Sequence, residues 1–171
     1  MDIDEPRLIA SILSGEKDDY RHLVDRYKND VYRHCFYILR DEDTAEDMAQ
    51  EAFIKAYRNL HRYDTAKASF KTWIFTIATR ECLSYLRQNK HLPLEDEEIA
   101  ISTYAPVDQQ AKEREIYDAV RSLRPKYRTV IVLHYWQGYS YEKMAETMGV
   151  PIGTVRGWLF RAKKELKEAL S

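Results

Sequence analysis

Apolar residues return every three or four positions along most of this chain, and nowhere do they alternate over a length that could make a strand. Tyr20, Leu23, Val24, Tyr27, Val31, Cys35 and Ile38 form one stripe. Ala45, Met48, Ala49, Ala52, Phe53, Ala56, Tyr57 and Leu60 form a second, with Asp43 or Thr44 placed to cap it. Phe70, Trp73, Ile74, Ile77, Ala78, Cys82, Tyr85 and Leu86 form a third. Helices with one apolar face each can bury it only against one another, so the expected fold is all-α, beginning with a three-helix bundle. The period stops after Arg87, where QNKHLPLEDEEIAISTYAPVDQQ carries two prolines and an acidic cluster from Glu95 to Glu98. It returns at Ile116, Ala119, Val120 and Leu123, and Pro125 suits a first helical position because its missing amide is not needed there. We therefore expect two small helical domains, 1–92 and 110–171, joined by a flexible linker over 93–109. Fully extended, about 16 linker residues at roughly 3.3–3.6 Å each reach about 55 Å.

The net charge of −1 conceals a strong pattern. Residues 1–54 carry −7, 55–90 carry +6, 91–120 carry −6 and 121–171 carry +6. Two basic surfaces suit a polyanion, and acidic ones suit a different, basic partner or the chain's own basic blocks. No apolar run approaches the roughly 18–20 residues that cross a bilayer, and the start MDIDEP lacks a signal peptide's basic and apolar regions, so we expect a cytoplasmic protein. Cys35 and Cys82 lie within helical stretches without metal-ligand spacing and read as buried, reduced thiols. The histidines at 22, 34, 61, 91 and 134 are scattered, with no nucleophile-base or carboxylate pairing, so neither an enzyme nor a metal or other cofactor is expected.

Near the C-terminus, Ser140 can cap a short helix YEKMAETM, Gly149 can end it in the left-handed conformation, and Pro151 can open the next helix, to about Ala169. Helix, glycine turn, helix is the helix-turn-helix pattern. On a helical wheel Val155, Leu159, Ala162 and Leu166 share a core-facing sector, while Gly153, Arg156, Gly157, Phe160, Arg161 and Lys164 lie opposite. That basic face suits DNA. Arg156, near the helix start, is placed to read base edges, and Phe160 to touch a thymine methyl. Arg161, Lys163, Lys164 and Lys167 are placed for phosphates. The glycines allow close backbone approach. Trp158 borders the core sector and should pack on the preceding helices.

Two upstream stretches ask for more than a DNA-binding helix. DTAEDMAQEAFIKAYRNL, residues 43–60, sets Asp43, Glu46, Asp47, Gln50 and Glu51 opposite its apolar stripe. Acids near a helix start are favourable in themselves, so this face could be solvated only. YDTAKASFKTWIFTIATRECLSYLR, residues 63–87, mixes basic residues with aromatics, a pattern that suits single-stranded DNA because any base can stack on a ring.

From about Leu8 to Leu170 the chain resembles the extracytoplasmic function group of bacterial sigma factors, in the sigma-70 superfamily. The resemblance is carried by AEDMAQEAFIKAY with SFKTWIFTIA, similar to region 2, and by LRPKYRTVIVLHYWQGYSYEKMAETMGVPIGTVRGWLFRAKKEL, similar to region 4. It implies a polymerase subunit that recognises the minus 35 and minus 10 promoter elements and promotes melting. By position, Asp47, Gln50 and Glu51 match residues that bind the clamp helices of RNA polymerase. Tyr63, Lys67, Ser69, Phe70, Lys71, Trp73 and Arg80 match the part that recognises and melts the minus 10 element. Thr154, Arg156, Gly157, Phe160, Arg161 and Lys164 match the minus 35 readers. The resemblance also implies docking on the polymerase flap, through apolar residues of Pro125 to Tyr135, and control by an anti-sigma factor. Gly157 stands where the family commonly has serine, Trp158 where it has a basic residue, and Lys143-Met144 replaces the usual Glu-Ile. An ordinary helix-turn-helix regulator would account for residues 110–171 and leave both upstream stretches without a task.

Overall fold

The computed structural model describes residues 4–89 and 111–171; the linker expected over 93–109 lies outside them. The chain divides into two compact units, Met1–Ser84 and Tyr85–Ser171. Among the described residues the regular structure is helical: α1 Glu5–Ser14, α2 Tyr20–Leu39, α3 Glu42–Arg58 and α4 Phe70–Gln88, then α5 Ala111–Ser122, α6 Pro125–Ile131, α7 Tyr141–Met148 and α8 Ile152–Ala169. The three expected long helices are α2, α3 and α4. The short α1 was not anticipated.

In the first unit α2 and α3 pack along their lengths. Ala45, Ala49, Ala52 and Ala56 give α3 a buried face of small side chains, which lets the two backbones approach closely. Between them Arg40 takes the left-handed conformation, φ 63°. The cap of α3 is Asp41, two residues earlier than the earliest capping position read from the sequence: its carboxylate accepts the Thr44 amide at 2.8 Å. An extended Asp41 can satisfy an otherwise unbonded amide of the first turn, whereas Asp43 and Thr44 already lie within the helix. Leu8, Ile9 and Ile12 bury one face of α1, and Tyr27 of α2 donates its hydroxyl to Glu5 at 2.6 Å.

Helix α4 buries Phe70, Ile74, Phe75, Ala78 and Cys82. One polar pair crosses this core: His34 Nε2 lies 2.7 Å from Thr79 Oγ1. The Thr79 hydroxyl gives its single proton to the Phe75 carbonyl at 2.7 Å, so His34 Nε2 carries the hydrogen of the pair. Phe75 meets the imidazole edge-on at 5.0 Å between centroids. Cys35 and Cys82 are free, buried thiols. Burial, with Cys35 as neighbour, raises the Cys82 thiol's pKa.

In the second unit α6 and α7 pack on α8, as does α5. Pro125 occupies the first turn of α6, Ser140 Oγ accepts the Lys143 amide at 3.1 Å, and Gly149 ends α7 at φ 67°, where a side chain would be strained. Pro151 is the capping residue of α8 and the helix proper starts at Ile152. Val155, Leu159 and Ala162 are buried as expected, but Leu166 is only half-buried because it lies in the final turns of α8. A buried arginine was not legible: Arg128 donates to the Leu123 carbonyl at 2.6 Å, just beyond α5. A wide turn, Val132–Trp136, links α6 towards α7.

Burial pushes the His34 imidazole down to about 3. An unfolded histidine titrates near 6.5, so between these values only the unfolded chain takes up the proton. Stability is complete above about pH 6.5 and falls on acidification towards pH 3, by up to about 1.4 kcal/mol per pH unit from this group. In an NMR titration the His34 ring should therefore keep its neutral signals down to pH 5. A midpoint near 6.5 would contradict the buried, neutral assignment.

Candidate functional site

On α3, Asp47, Gln50 and Glu51 are all exposed. Gln50 Nε2 reaches Glu46 Oε1 at 3.5 Å, and Ile54 and Tyr57, also exposed, continue the surface further along the helix. An acidic, hydrogen-bonding patch bordered by an isoleucine and a tyrosine matches the mixed anatomy of protein interfaces.

The loop before α4 is tied to itself. The Tyr63 hydroxyl donates to the Ala68 carbonyl at 2.9 Å and Asp64 accepts the Ala66 amide at 2.9 Å. Ser69 Oγ accepts the Thr72 amide at 3.1 Å, so it caps α4 in addition to lying at the surface. Lys67 and Lys71 are exposed, with the Lys71 ammonium 5.9 Å from the Phe75 ring centre. Phe70 departs from the expectation. It is fully buried, in ring contact with Tyr27, Tyr63 and Trp73 at 5.6, 5.9 and 5.9 Å, so it supports the surface and cannot itself touch DNA. Its position opens the buried sector of α4, which outweighs its place beside a polar loop. Trp73 is half-buried, and Tyr63 backs it at 5.2 Å. Burial is the main cause raising the Tyr63 phenol pKa.

Trp73 and Arg80 share an open cleft of about 270 Å³ with Lys55, Asn59, Arg62, Ile77 and Glu81. Lys55 pairs with Glu81 at 2.5 Å, and Asn59 donates its amide to the Lys55 carbonyl at 2.8 Å. An indole and an aliphatic wall amid three basic side chains and one partly neutralised acid suit stacking and charge contact with an unpaired nucleotide. Lys55, Asn59, Arg62, Ile77 and Glu81 were not among the sequence candidates. The signal was the helical spacing: Lys55 lies four before Asn59, the residue that caps the end of α3, and Trp73, Ile77 and Arg80 follow at four and three on α4.

On α8, Arg156, Gly157, Phe160, Arg161 and Lys164 are exposed opposite the buried Val155, Leu159 and Ala162, and Thr154 is half-buried in the first turn. Phe160 is 72% exposed, an unusual position for a phenyl ring on a helix with a well-packed core face. A Cβ at Gly153 or Gly157 would meet nothing within 4 Å, so packing within the unit demands neither glycine. Each nonetheless costs about 1 kcal/mol relative to alanine inside a helix. Trp158 is half-buried, with the Lys126 ammonium of α6 5.5 Å from its ring, in keeping with packing on a preceding helix. The apolar residues expected to meet a partner between Pro125 and Tyr135 are mostly core: Tyr127 and Val130 to Leu133 are buried, and Tyr135, followed by Trp136, is the exposed one. Their helix is packed against α8, which uses up its apolar side. Among the described residues no His/Cys/Asp/Glu group is arranged to hold a metal, and no helix is long and apolar enough to cross a membrane.

Comparison with known proteins places both units. The family Sigma-70 region 2 matches residues 23–92 and the family Sigma-70, region 4 matches residues 113–166. The chain is 32% identical to the ECF RNA polymerase sigma factor SigW of Bacillus subtilis, over 95% of this chain and 94% of that protein. It is 30% identical to the RNA polymerase sigma-H factor of Pseudomonas aeruginosa, over 97% and 93% respectively. Among solved structures, the sigma factor RpoE bound to the anti-sigma factor NepR from Bartonella quintana is similar, with a TM-score of 0.65 and 25% identity over 89% of this chain and 96% of that one. Taken with the two helical units, these matches make the chain a member of the extracytoplasmic function group of RNA polymerase sigma factors, in the sigma-70 family.

Proposed function

We propose that this chain joins core RNA polymerase in the cytoplasm, directs it to promoters through a minus 35 and a minus 10 element, and helps open the duplex, catalysing no reaction itself. The observation that supports this most directly is the cleft in the first unit, which a DNA-binding regulator built around α7 and α8 would not need. Extruding a base costs a few kcal/mol, and stacking one base on an aromatic side chain returns about 1–3 kcal/mol. Trp73 can thus offset roughly one unpaired base, with Lys55, Arg62 and Arg80 following the backbone; Tyr63, Lys67, Ser69 and Lys71 complete the minus 10 surface. The remaining cost of opening falls to polymerase contacts. Those are assigned to Asp47, Gln50 and Glu51 on the clamp helices, and to Tyr135 and Trp136 on the flap.

At the minus 35 element, Arg156 reads base edges, Phe160 supplies apolar contact, Arg161 and Lys164 hold phosphates, and Thr154 and Gly157 lie where the backbone comes close. An anti-sigma factor is the expected antagonist, on the precedent of the Bartonella quintana RpoE structure. It would act by covering these same polymerase-binding surfaces.

Run-off transcription with core polymerase tests the reading. Replacing Gln50 and Glu51 together with alanine should abolish transcription while leaving stability within about 0.5 kcal/mol, as for exposed positions generally; full transcription by the double variant would remove the clamp assignment. The minus 10 surface separates into two classes. Phe70→Ala should cost about 3–5 kcal/mol of stability as a core truncation. Arg62→Ala with Arg80→Ala should leave the fold intact and reduce transcription about tenfold, equivalent to about 1.4 kcal/mol of lost contact. Normal transcription by that double variant would take the cleft out of the mechanism.

A further inference from the structure

Arg156 has few exposed side-chain neighbours on its own helix. Of the positions three and four residues away, which are the neighbours on a helical surface, Gly153 has no side chain, Leu159 is buried in the core and Ile152 is half-buried, which leaves Phe160 as the one exposed neighbour. The next residue, Gly157, adds no side chain on the flank, and a Cβ at either glycine would meet nothing within 4 Å beyond its chain neighbours and the helix backbone. A long side chain in that setting would sweep through many rotamers, and ordering it on binding would cost much of what a base contact returns.

A defined support comes from α7. The Arg156 guanidinium carbon lies 6.0 Å from the centre of the Tyr141 ring. Tyr141 is the first residue of α7, directly after the capping Ser140, so its backbone is held where the helix starts. Its ring is in turn seated 5.4 Å from that of His134. His134 is anchored through Nδ1, 3.2 Å from the Tyr139 carbonyl. The sequence Arg156, Tyr141, His134 therefore runs from the exposed face of α8 back to the turn that precedes α7.

We infer that Tyr141 is a positioning residue for promoter recognition: its ring is the platform that holds Arg156 as a fixed fork, tuned to guanine at one base pair of the upstream element. An arginine resting on an aromatic face keeps its N–H donors in the guanidinium plane, so the ring contact and a bidentate bond to guanine O6 and N7 are compatible. Lysine, a point charge on a flexible stem, would gain less from such a platform. The inference rests on α8 being the upstream reader. It also suggests how Gly157 can be tolerated beside the reading residue: lateral support for Arg156 comes from the neighbouring helix.

The test is run-off transcription by holoenzyme reconstituted with the full chain, on promoters in which each upstream base pair is varied singly. The native chain should prefer guanine at one position by about tenfold, within the range of a bidentate contact. Tyr141→Leu should shrink that preference to about twofold, while Tyr141→Phe, which keeps the ring, should retain it. The salt dependence of holoenzyme binding to the same promoters should be alike in all three, because no charge has been removed. Thermal melting of each variant confirms that the comparison is between folded proteins. If Tyr141→Leu keeps the full preference while Arg156→Ala erases it, the platform is refuted and α8 remains the reader. If Tyr141→Phe loses the preference as Tyr141→Leu does, the hydroxyl matters in place of the ring and the inference is overturned. Should Arg156→Ala itself leave every base preference unchanged, the upstream reading fails and the inference with it.

Discussion

The first unit depends on α4 burying one sector completely. Phe70, Ile74, Phe75, Ala78 and Cys82 are withdrawn from solvent, and the His34–Thr79 hydrogen bond sets where α4 lies against α2. A buried polar pair is costly to leave half-made, so this bond disfavours sliding or rotating α4 more sharply than apolar contacts can. With the inner sector settled, helical geometry determines the rest: Trp73, Ile77 and Arg80 come to lie along one side and meet Lys55 of α3 and Asn59 at its end across the cleft. Stability and the proposed strand capture therefore use the same helix without sharing residues. Phe70 and Trp73, three positions apart and in ring contact, stand on either side of that division.

The second unit solves a similar problem with less material. Val155, Leu159 and Ala162 fix the rotation of α8, so Arg156, Phe160, Arg161 and Lys164 have no inward alternative. The unit gives up local stability on that face. Two helical glycines without a packing reason and a largely exposed phenyl ring are each unfavourable for an isolated helix. All three become sensible if the face is completed by another molecule.

Periodicity made the helices and the two-part organisation legible, because a stripe at 3.6-residue spacing has few other uses. The glycine turn and the Ser140 cap were equally readable, since their chemistry is local. Helix starts were less so: Asp41, Asp43 and Thr44 are all good capping residues, and only the backbone conformation decides among them. Phe70 exposes a deeper limit. Placed between a polar loop and a mixed helix, it is consistent with both a stacking surface and a core, and sequence spacing does not rank them. Contacts between separate elements were the least accessible. Arg128 satisfying the end of α5, Tyr141 beneath Arg156, and Arg62 joining the cleft all depend on packing between segments that no local pattern relates.

The central claim is that both units serve one act, duplex opening by polymerase at a chosen site. Permanganate reactivity of thymines in promoter DNA, measured with core polymerase and the full chain, addresses it most directly. The account predicts unpaired thymines at the minus 10 element and towards the start site only when chain and core are both present. That signal should be lost when Trp73 is replaced by alanine, even though holoenzyme assembly persists. Promoter DNA that is bound by the chain alone, with core polymerase adding no thymine reactivity, would contradict the account.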